Sequence, residues 1–181
     1  MHLRLDHYSS SLAPLLIITD ELGQLRAMEF ADLEARMTRL LRQHYGEYTL
    51  TEMPAPRSLI AALDAYFQGD LKAIDQIPTA TGGSDFQKAV WKALRAIPAG
   101  STASYSELAT SIGRSGSARA VGAANGANPI PIVVPCHRVI GADGSLTGFA
   151  SGLPRKQWLL QHEARNVAGS RMRAGLFEML C

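Results

Sequence analysis

The spacing of apolar and polar positions changes along the chain, and each spacing predicts a different kind of element. Short apolar runs at 3–8, 15–19 and 25–30 are separated by Ser, Pro, Asp and Gly residues, which is typical of strands in a small sheet. From Ala31 to His44, and again from Pro56, apolar residues recur every three or four positions. The first part of the chain is therefore predicted to be a sheet followed by two helices.

The second part is predicted to be mostly helical. Ser84 and Ser104 each stand three residues before a Gln or Glu, a pattern that caps the first turn of a helix. A glycine-containing turn at 113–116 separates the second of these helices from another at 117–125, which suggests a helix-turn-helix, although many helical domains contain such a pair. The expected divisions are an N-terminal α/β domain, a linker, a C-terminal domain and a tail, at 1–77, 78–83, 84–165 and 166–181.

The last of these short helices has one long cationic side chain, Arg119, in a field of very small ones. Its small neighbours are Ser117, Ala118, Ala120 and Gly122. A helix that reads base edges carries several long polar side chains. This composition instead favours close approach of the backbone to DNA, with Arg119 entering the base stack. The alternative is a helix packed inside the protein, with Arg119 in a surface ion pair.

The charge is distributed unevenly, although the whole chain carries only +2. Residues 1–83 have seven Lys and Arg against eleven Asp and Glu, a net charge of −4. Residues 84–165 have nine against four, a net charge of +5. A basic second half favours a polyanionic partner. Chance asymmetry is the alternative.

The chain shows no signal for secretion or for a membrane. The first residues lack a long apolar stretch, and the apolar run at 15–18 is far too short to span a bilayer. The two cysteines, Cys136 and Cys181, can form at most one disulfide. We therefore expect a cytoplasmic protein with reduced thiols and no membrane association.

The residues around the first cysteine carry the strongest chemical signal. The β-branched run 132–134 predicts a buried extended segment, and Pro135 continues it. Cys136 lies beside His137 and Arg138, neighbours that lower the pKa of a thiol toward its reactive form. In an extended chain His137 points away from the sulfur, so proton transfer needs a bridging water or a turn. The alternative is a buried structural thiol beside a paired arginine.

Two features further along the chain complete the candidate site. The loop 147–152 consists mainly of small residues, whose backbone can approach a flat ligand closely. The helix predicted from Pro154 places Glu163 on the same face as Leu159. An inward-facing carboxylate needs a partner. His137 is one candidate, and a structural arginine is the alternative.

The run Pro135-Cys136-His137-Arg138-Val139 resembles the signature of the O6-alkylguanine-DNA alkyltransferases, also called methylated-DNA–protein-cysteine methyltransferases. The resemblance covers residues 84–163 strongly and the N-terminal half loosely. Matching residues include Phe86-Gln87, Tyr105, Ala118 to Gly122, Asn128-Pro129 and Lys156 to Glu163.

The resemblance implies both a fold and a reaction. The fold is a small N-terminal α/β domain with an RNase H-like sheet, followed by a mainly helical, winged-helix-like domain with a helix-turn-helix. The reaction is direct-reversal repair, in which the alkyl group of O6-alkylguanine in double-stranded DNA moves once and irreversibly to a protein cysteine after base flipping. O4-alkylthymine is a second candidate substrate.

The resemblance also assigns roles to the matching catalytic residues. Cys136 is similar to the alkyl acceptor. His137, acting through a water, and Glu163 are similar to the relay that draws off its proton. Asn128 matches the residue that bonds backbone near the active-site turn. Tyr105 matches the residue that contacts the flipped base and assists proton delivery to guanine.

Further matches concern the DNA and the base pocket. Arg119 is similar to the arginine that fills the space left by the flipped nucleotide. Val139, Phe149, Ala150 and Ser151 fall where the family builds its base pocket. Phe149 stands where Tyr is common, and Ser151 stands where Gly is common. We expect no metal, because His2, His7 and His44 are scattered without nearby cysteines. We also expect no cofactor, and a monomer.

Three other functions compete with alkyl transfer. An alkyltransferase-like protein that binds lesions without repairing them lacks the acceptor cysteine, whereas Cys136 is present. A cysteine hydrolase needs a base with direct reach to the sulfur, and it leaves Arg119 in its small-residue helix unexplained. A thiol redox protein favours a second nearby cysteine, and Cys181 lies at the chain end. Turnover separates these functions, because only an alkyltransferase reacts once per molecule.

Overall fold

A computed structural model describes the backbone of residues 1–178 and the side chains of residues 1–168. The N-terminal sheet contains β1 (His2–Ser9), β2 (Pro14–Thr19), β3 (Leu25–Phe30) and β4 (Thr49–Glu52) in the order β3-β2-β1-β4. The first three pair antiparallel and β4 pairs parallel with β1. The three strands predicted from the sequence are confirmed. The pattern does not predict β4, because all four of its residues are exposed and no apolar alternation marks it.

Helices cover both faces of this sheet. After a 3₁₀ turn come α1 (Glu34–Tyr45) and then α2 (Arg57–Phe67), which confirms the two predicted helices. Leu15 and Ile17 of β2 lie in the same core cluster as α2, while Leu16 and Ile18 lie in the cluster with α1. Side chains of a strand alternate between faces. A strand covered on both sides therefore has the unbroken apolar run seen in β2.

The C-terminal part contains α3 (Asp85–Arg95), α4 (Tyr105–Ser111), α5 (Ala118–Gly126) and α6 (Leu153–Glu178). Two short strands, β5 (Ala103–Ser104) and β6 (Val139–Ile140), pair in parallel beside them. Both predicted capping boxes form, at Ser84 and at Ser104. With α4 and α5 as the helix-turn-helix, the predicted fold class is confirmed.

The boundary segments are well packed. Residues 78–80, at the start of the predicted linker, run along β3, because Leu25 bonds to the backbone of Pro78 and of Ala80. The predicted tail begins inside α6, and its residue Val167 packs on the core. Cys181 lies outside the described residues. Within the described part of the chain, no helix is long and apolar enough to cross a membrane.

Candidate active site and DNA-binding face

The chain turns sharply before Cys136 and does not run extended. Val134 N–H donates to the carbonyl of Ile130, and Ile132 adopts a φ of 75°. The prediction of an extended segment is therefore wrong. The apolar residues there are buried, but burial constrains composition and not backbone conformation, so a buried turn carries the same β-branched run as a strand.

Asn128 holds this turn through both atoms of its amide. Its Nδ2 donates to Val134 O at 2.8 Å, and its Oδ1 accepts from Ile130 N–H at 3.0 Å. A left-handed φ at a β-branched residue such as Ile132 costs about 1–3 kcal/mol. The two bonds from Asn128 help to offset that cost. They also fix the point at which the 3₁₀ turn of Cys136 to Arg138 begins.

The turn brings His137 to Glu163. His137 Nε2 lies 2.9 Å from Glu163 Oε1, and both side chains are fully buried. Arg138 donates from Nη2 to Oε1 at 2.8 Å and from Nε to Oε2 at 3.0 Å. The Glu163 carboxylate thus binds both kinds of partner considered from the sequence, the histidine and an arginine. Gly100 N–H and the Tyr66 hydroxyl add donors at 3.1 and 3.0 Å.

Burial dominates the electrostatics of the thiol. It raises the pKa of Cys136 to about 11. A side-chain bond from Asn128 and the positive charges of Arg36 and Lys156 lower this pKa only in part. The expectation of a lowered thiol pKa is therefore wrong, because desolvation outweighs the nearby cations. The resting site holds a neutral thiol.

Opposing effects set the protonation of the buried His137–Glu163 pair. Burial lowers the pKa of His137, although the hydrogen bond and charge of Glu163 oppose that shift. Burial on its own raises the pKa of Glu163, but His137 and Arg138 hold it well below its usual range. Within the described residues, His137 Nδ1 is buried and has no hydrogen-bond partner. The imidazole is therefore neutral beside an ionised carboxylate.

The helix α5 presents small residues and one arginine to solvent. Arg119 and Ala120 are exposed, and Arg119 makes no ion pair with the side chains that the structure describes. This face therefore contradicts the alternative interpretation, in which the helix packs inside the protein and Arg119 forms a surface ion pair. Ser117, Ala118 and Gly122 are half-buried. The Tyr105 ring lies against the helix at Gly122, where a Cβ would stand at an ordinary contact distance of 3.7 Å from it.

The candidate pocket residues gather around one loop. The Tyr105 hydroxyl lies 3.2 Å from the carbonyls of Thr147 and Gly148. Burial, with a smaller contribution from Cys136, raises the pKa of Tyr105 against the lowering effect of its hydrogen bond with Thr147, so the phenol stays neutral. Val139 is buried, whereas Phe149 is half-buried and Ala150 is exposed. Ser151 in the loop 147–152 is buried, with its hydroxyl 3.1 Å from Glu29 Oε1.

The sequence reasoning missed the contribution of the N-terminal domain. Tyr66 reaches Glu163, as described above. Arg36 pairs with Glu29 and donates to the carbonyls of Gly126 and Asn128 at 2.7 and 3.1 Å. One signal was available, since Glu29 interrupts the apolar strand β3 and a buried carboxylate requires partners. Among the described residues, no three His, Cys, Asp or Glu lie together as metal ligands would.

The described residues thus combine a buried cysteine at a fixed turn, a buried His–Glu pair and a helix-turn-helix with an exposed arginine. The family model of the 6-O-methylguanine DNA methyltransferase DNA-binding domain matches residues 85–165, and that of the ribonuclease-like domain matches residues 3–81. The chain belongs to the 6-O-methylguanine DNA methyltransferase family.

Individual relatives agree with this assignment over most of their length. The methylated-DNA–protein-cysteine methyltransferase of Shigella flexneri is 52% identical over 157 residues, which cover 86% of this chain and 92% of the relative. That of Methanosarcina barkeri is 42% identical over 90% of this chain and 98% of its own. The structure of Mycobacterium tuberculosis OGT in complex with DNA superposes with a TM-score of 0.74 at 38% identity, covering 92% of this chain and 94% of the OGT chain.

Proposed function

We propose that Cys136 is the alkyl acceptor in the reaction of this family, direct-reversal repair of O6-alkylguanine in DNA. The single observation that carries the proposal is the buried Cys136 at a fixed turn, followed at once in the chain by His137, whose ring pairs with the buried Glu163. The sulfur attacks the alkyl carbon, the bond from carbon to guanine O6 breaks, and a thioether remains on the protein. A thioether here has no leaving route, so each molecule reacts once.

The proton of the thiol has to leave before or during the attack, because a pKa of about 11 leaves little thiolate at neutral pH. We assign its uptake to His137 Nδ1, directly or through a water. Glu163 then stabilises the imidazolium through its bond to Nε2, while Arg138 holds the carboxylate in place. The Tyr105 hydroxyl, beside the pocket loop, donates a hydrogen bond to the departing guanine and assists delivery of the proton that the guanine takes up, which balances the proton that leaves Cys136.

The partner in this proposal is double-stranded DNA, bound by a monomer in the cytoplasm, where thiols remain reduced. The helix α5 lies against the DNA through the small residues Ser117, Ala118, Ala120 and Gly122. Arg119 enters the base stack and occupies the gap behind the flipped nucleotide. The base lies in a pocket formed by Val139, Phe149, Ala150 and Ser151. The exposure of Arg119 supports this role.

The proposal is tested by incubating the protein with duplex DNA that carries one O6-methylguanine, followed by peptide mass analysis. We expect one methyl group per protein molecule, on the peptide that contains Cys136 and not on the peptide with Cys181. A methyl group on another residue, or several turnovers per molecule, contradicts it.

Arg119→Ala should slow transfer in duplex DNA by about tenfold, equivalent to about 1.4 kcal/mol of the flipping cost. The loss should be smaller on single-stranded DNA, where no gap in a stack has to be filled. The measurement is the single-turnover rate on both substrates. Arg114→Ala is the matched control, because Arg114 is an exposed arginine in the turn before α5. Equal losses on both substrates would show that Arg119 only contacts phosphate.

A further inference from the structure

Asn125 is a buried polar residue on the inner face of α5. The other residues that α5 buries, Val121 and Ala124, are apolar, whereas Asn125 carries an amide and is only 3% exposed. Burying an amide costs free energy unless its polar atoms form hydrogen bonds. The contacts of its two polar atoms therefore indicate what the asparagine contributes.

The two ends of the Asn125 amide differ. Its Nδ2 donates to the carbonyl of Cys136 at 3.4 Å, which is long for such a bond. The reverse orientation would set two acceptor oxygens against each other, so the nitrogen belongs on this side and Oδ1 on the other. Within the described residues, Oδ1 is buried and has no hydrogen-bond partner. This oxygen is therefore available to accept a bond that forms only during the reaction.

His137 needs such an acceptor when it takes up a proton. In the resting site its Nε2 donates to the ionised Glu163, and its Nδ1 is buried without a partner among the described residues. Once Nδ1 takes the proton of Cys136 it becomes a buried donor, since a protonated imidazole donates from both nitrogens. The Asn125 amide and His137 adjoin the same peptide bond. Asn125 contacts its oxygen, the carbonyl of Cys136, and His137 supplies its nitrogen.

We propose that Asn125 is a positioning residue of the relay, whose Oδ1 accepts the N–H that His137 Nδ1 gains from Cys136, directly or through a water. The inference rests on the proposed function. A hydrogen bond made only to the protonated ring stabilises that form, which favours uptake of the thiol proton. The proton passes from the sulfur to Nδ1, and Asn125 stays neutral throughout.

The test is the pH dependence of single-turnover methyl transfer from O6-methylguanine in duplex DNA. Asn125→Leu keeps nearly the shape of the side chain but removes both the donor and the acceptor. We expect its rate at neutral pH to fall about tenfold. The loss should shrink as the pH rises toward about 11, the pKa at which the thiol ionises without the relay.

Two further variants separate the acceptor from the packing of α5. Asn125→Asp keeps an acceptor oxygen in either protonation state, so it should retain more of the rate at neutral pH than Asn125→Leu. Val121→Ala is the matched control, because it alters a fully buried residue of the same helix without removing a polar atom. Any loss of rate in Val121→Ala should be the same at every pH.

Three outcomes overturn the inference. They are a loss in Asn125→Leu that is equal at every pH, an equal loss in Asn125→Asp, and an unchanged rate and pH dependence in folded Asn125→Leu. If thermal unfolding shows that Asn125→Leu does not fold, the smaller Asn125→Ala replaces it with the same expectations. Methyl transfer to Cys136 in the unmodified protein is recorded in parallel, and its absence refutes the proposed function itself.

Discussion

Replacing Cys136 with alanine should abolish alkyl transfer and leave binding to DNA containing O6-methylguanine intact. The sulfur is the nucleophile, so its loss removes the chemical step and no neighbouring group substitutes for it. The DNA contacts proposed for α5 and Tyr105 do not involve the sulfur. The measurements are the single-turnover transfer rate and the Kd for duplex DNA with and without the lesion.

The matched control for this substitution is Cys181→Ala, which removes the second thiol of the chain. It should transfer at the rate of the unmodified protein. Residual transfer by Cys136→Ala would point to a different acceptor. Loss of DNA binding together with transfer would show that the substitution damages the fold, and unfolding in urea distinguishes this outcome from a purely chemical defect.

Features that depend on neighbours in sequence were predictable here. The strands β1 to β3 follow from short apolar runs with breaks between them, and the two capping boxes require only residues three positions apart. The position of Glu163 on the inner face of its helix follows from helical spacing to Leu159. These inferences needed no knowledge of which elements meet in space.

Features that depend on contacts across the fold were not predictable. The turn before Cys136 is held by Asn128, and an apolar run gives no sign of it. Burial of the thiol raises its pKa, whereas its neighbours in sequence suggest the reverse. Tyr66 and Glu29 reach the site from 97 and 122 residues away along the chain, to Glu163 and Ser151, so no local pattern pairs them.

The relay makes Glu163→Gln the second substitution with a large expected effect. The glutamine keeps the shape of the side chain but removes the negative charge that stabilises a protonated His137. The pKa of His137, already lowered by burial, falls further, so His137 accepts the proton of Cys136 less readily. We expect the transfer rate at neutral pH to fall about 10²- to 10⁴-fold, the usual contribution of general acid–base catalysis.

The direction of the change with pH follows from the same charges. Without Glu163 the thiolate forms mainly by direct ionisation, and burial places that pKa at about 11. The rising limb of the plot of transfer rate against pH should therefore move to higher pH. Stability should also fall by about 3–5 kcal/mol, because the buried Arg138 loses its charge partner. The rates are compared under conditions where urea unfolding shows the variant to be folded.

Tyr66→Phe is the matched control for this change. It removes one hydrogen bond to Glu163 Oε1 and leaves the carboxylate charge, with His137 and Arg138 still bound to it. If the charge of Glu163 assists proton transfer, the rising limb of the plot of transfer rate against pH should move far less in Tyr66→Phe than in Glu163→Gln. Equal shifts in the two variants would mean that the geometry of the carboxylate matters and not its charge. An unchanged rate and pH profile in a folded Glu163→Gln protein would remove Glu163 from the mechanism altogether.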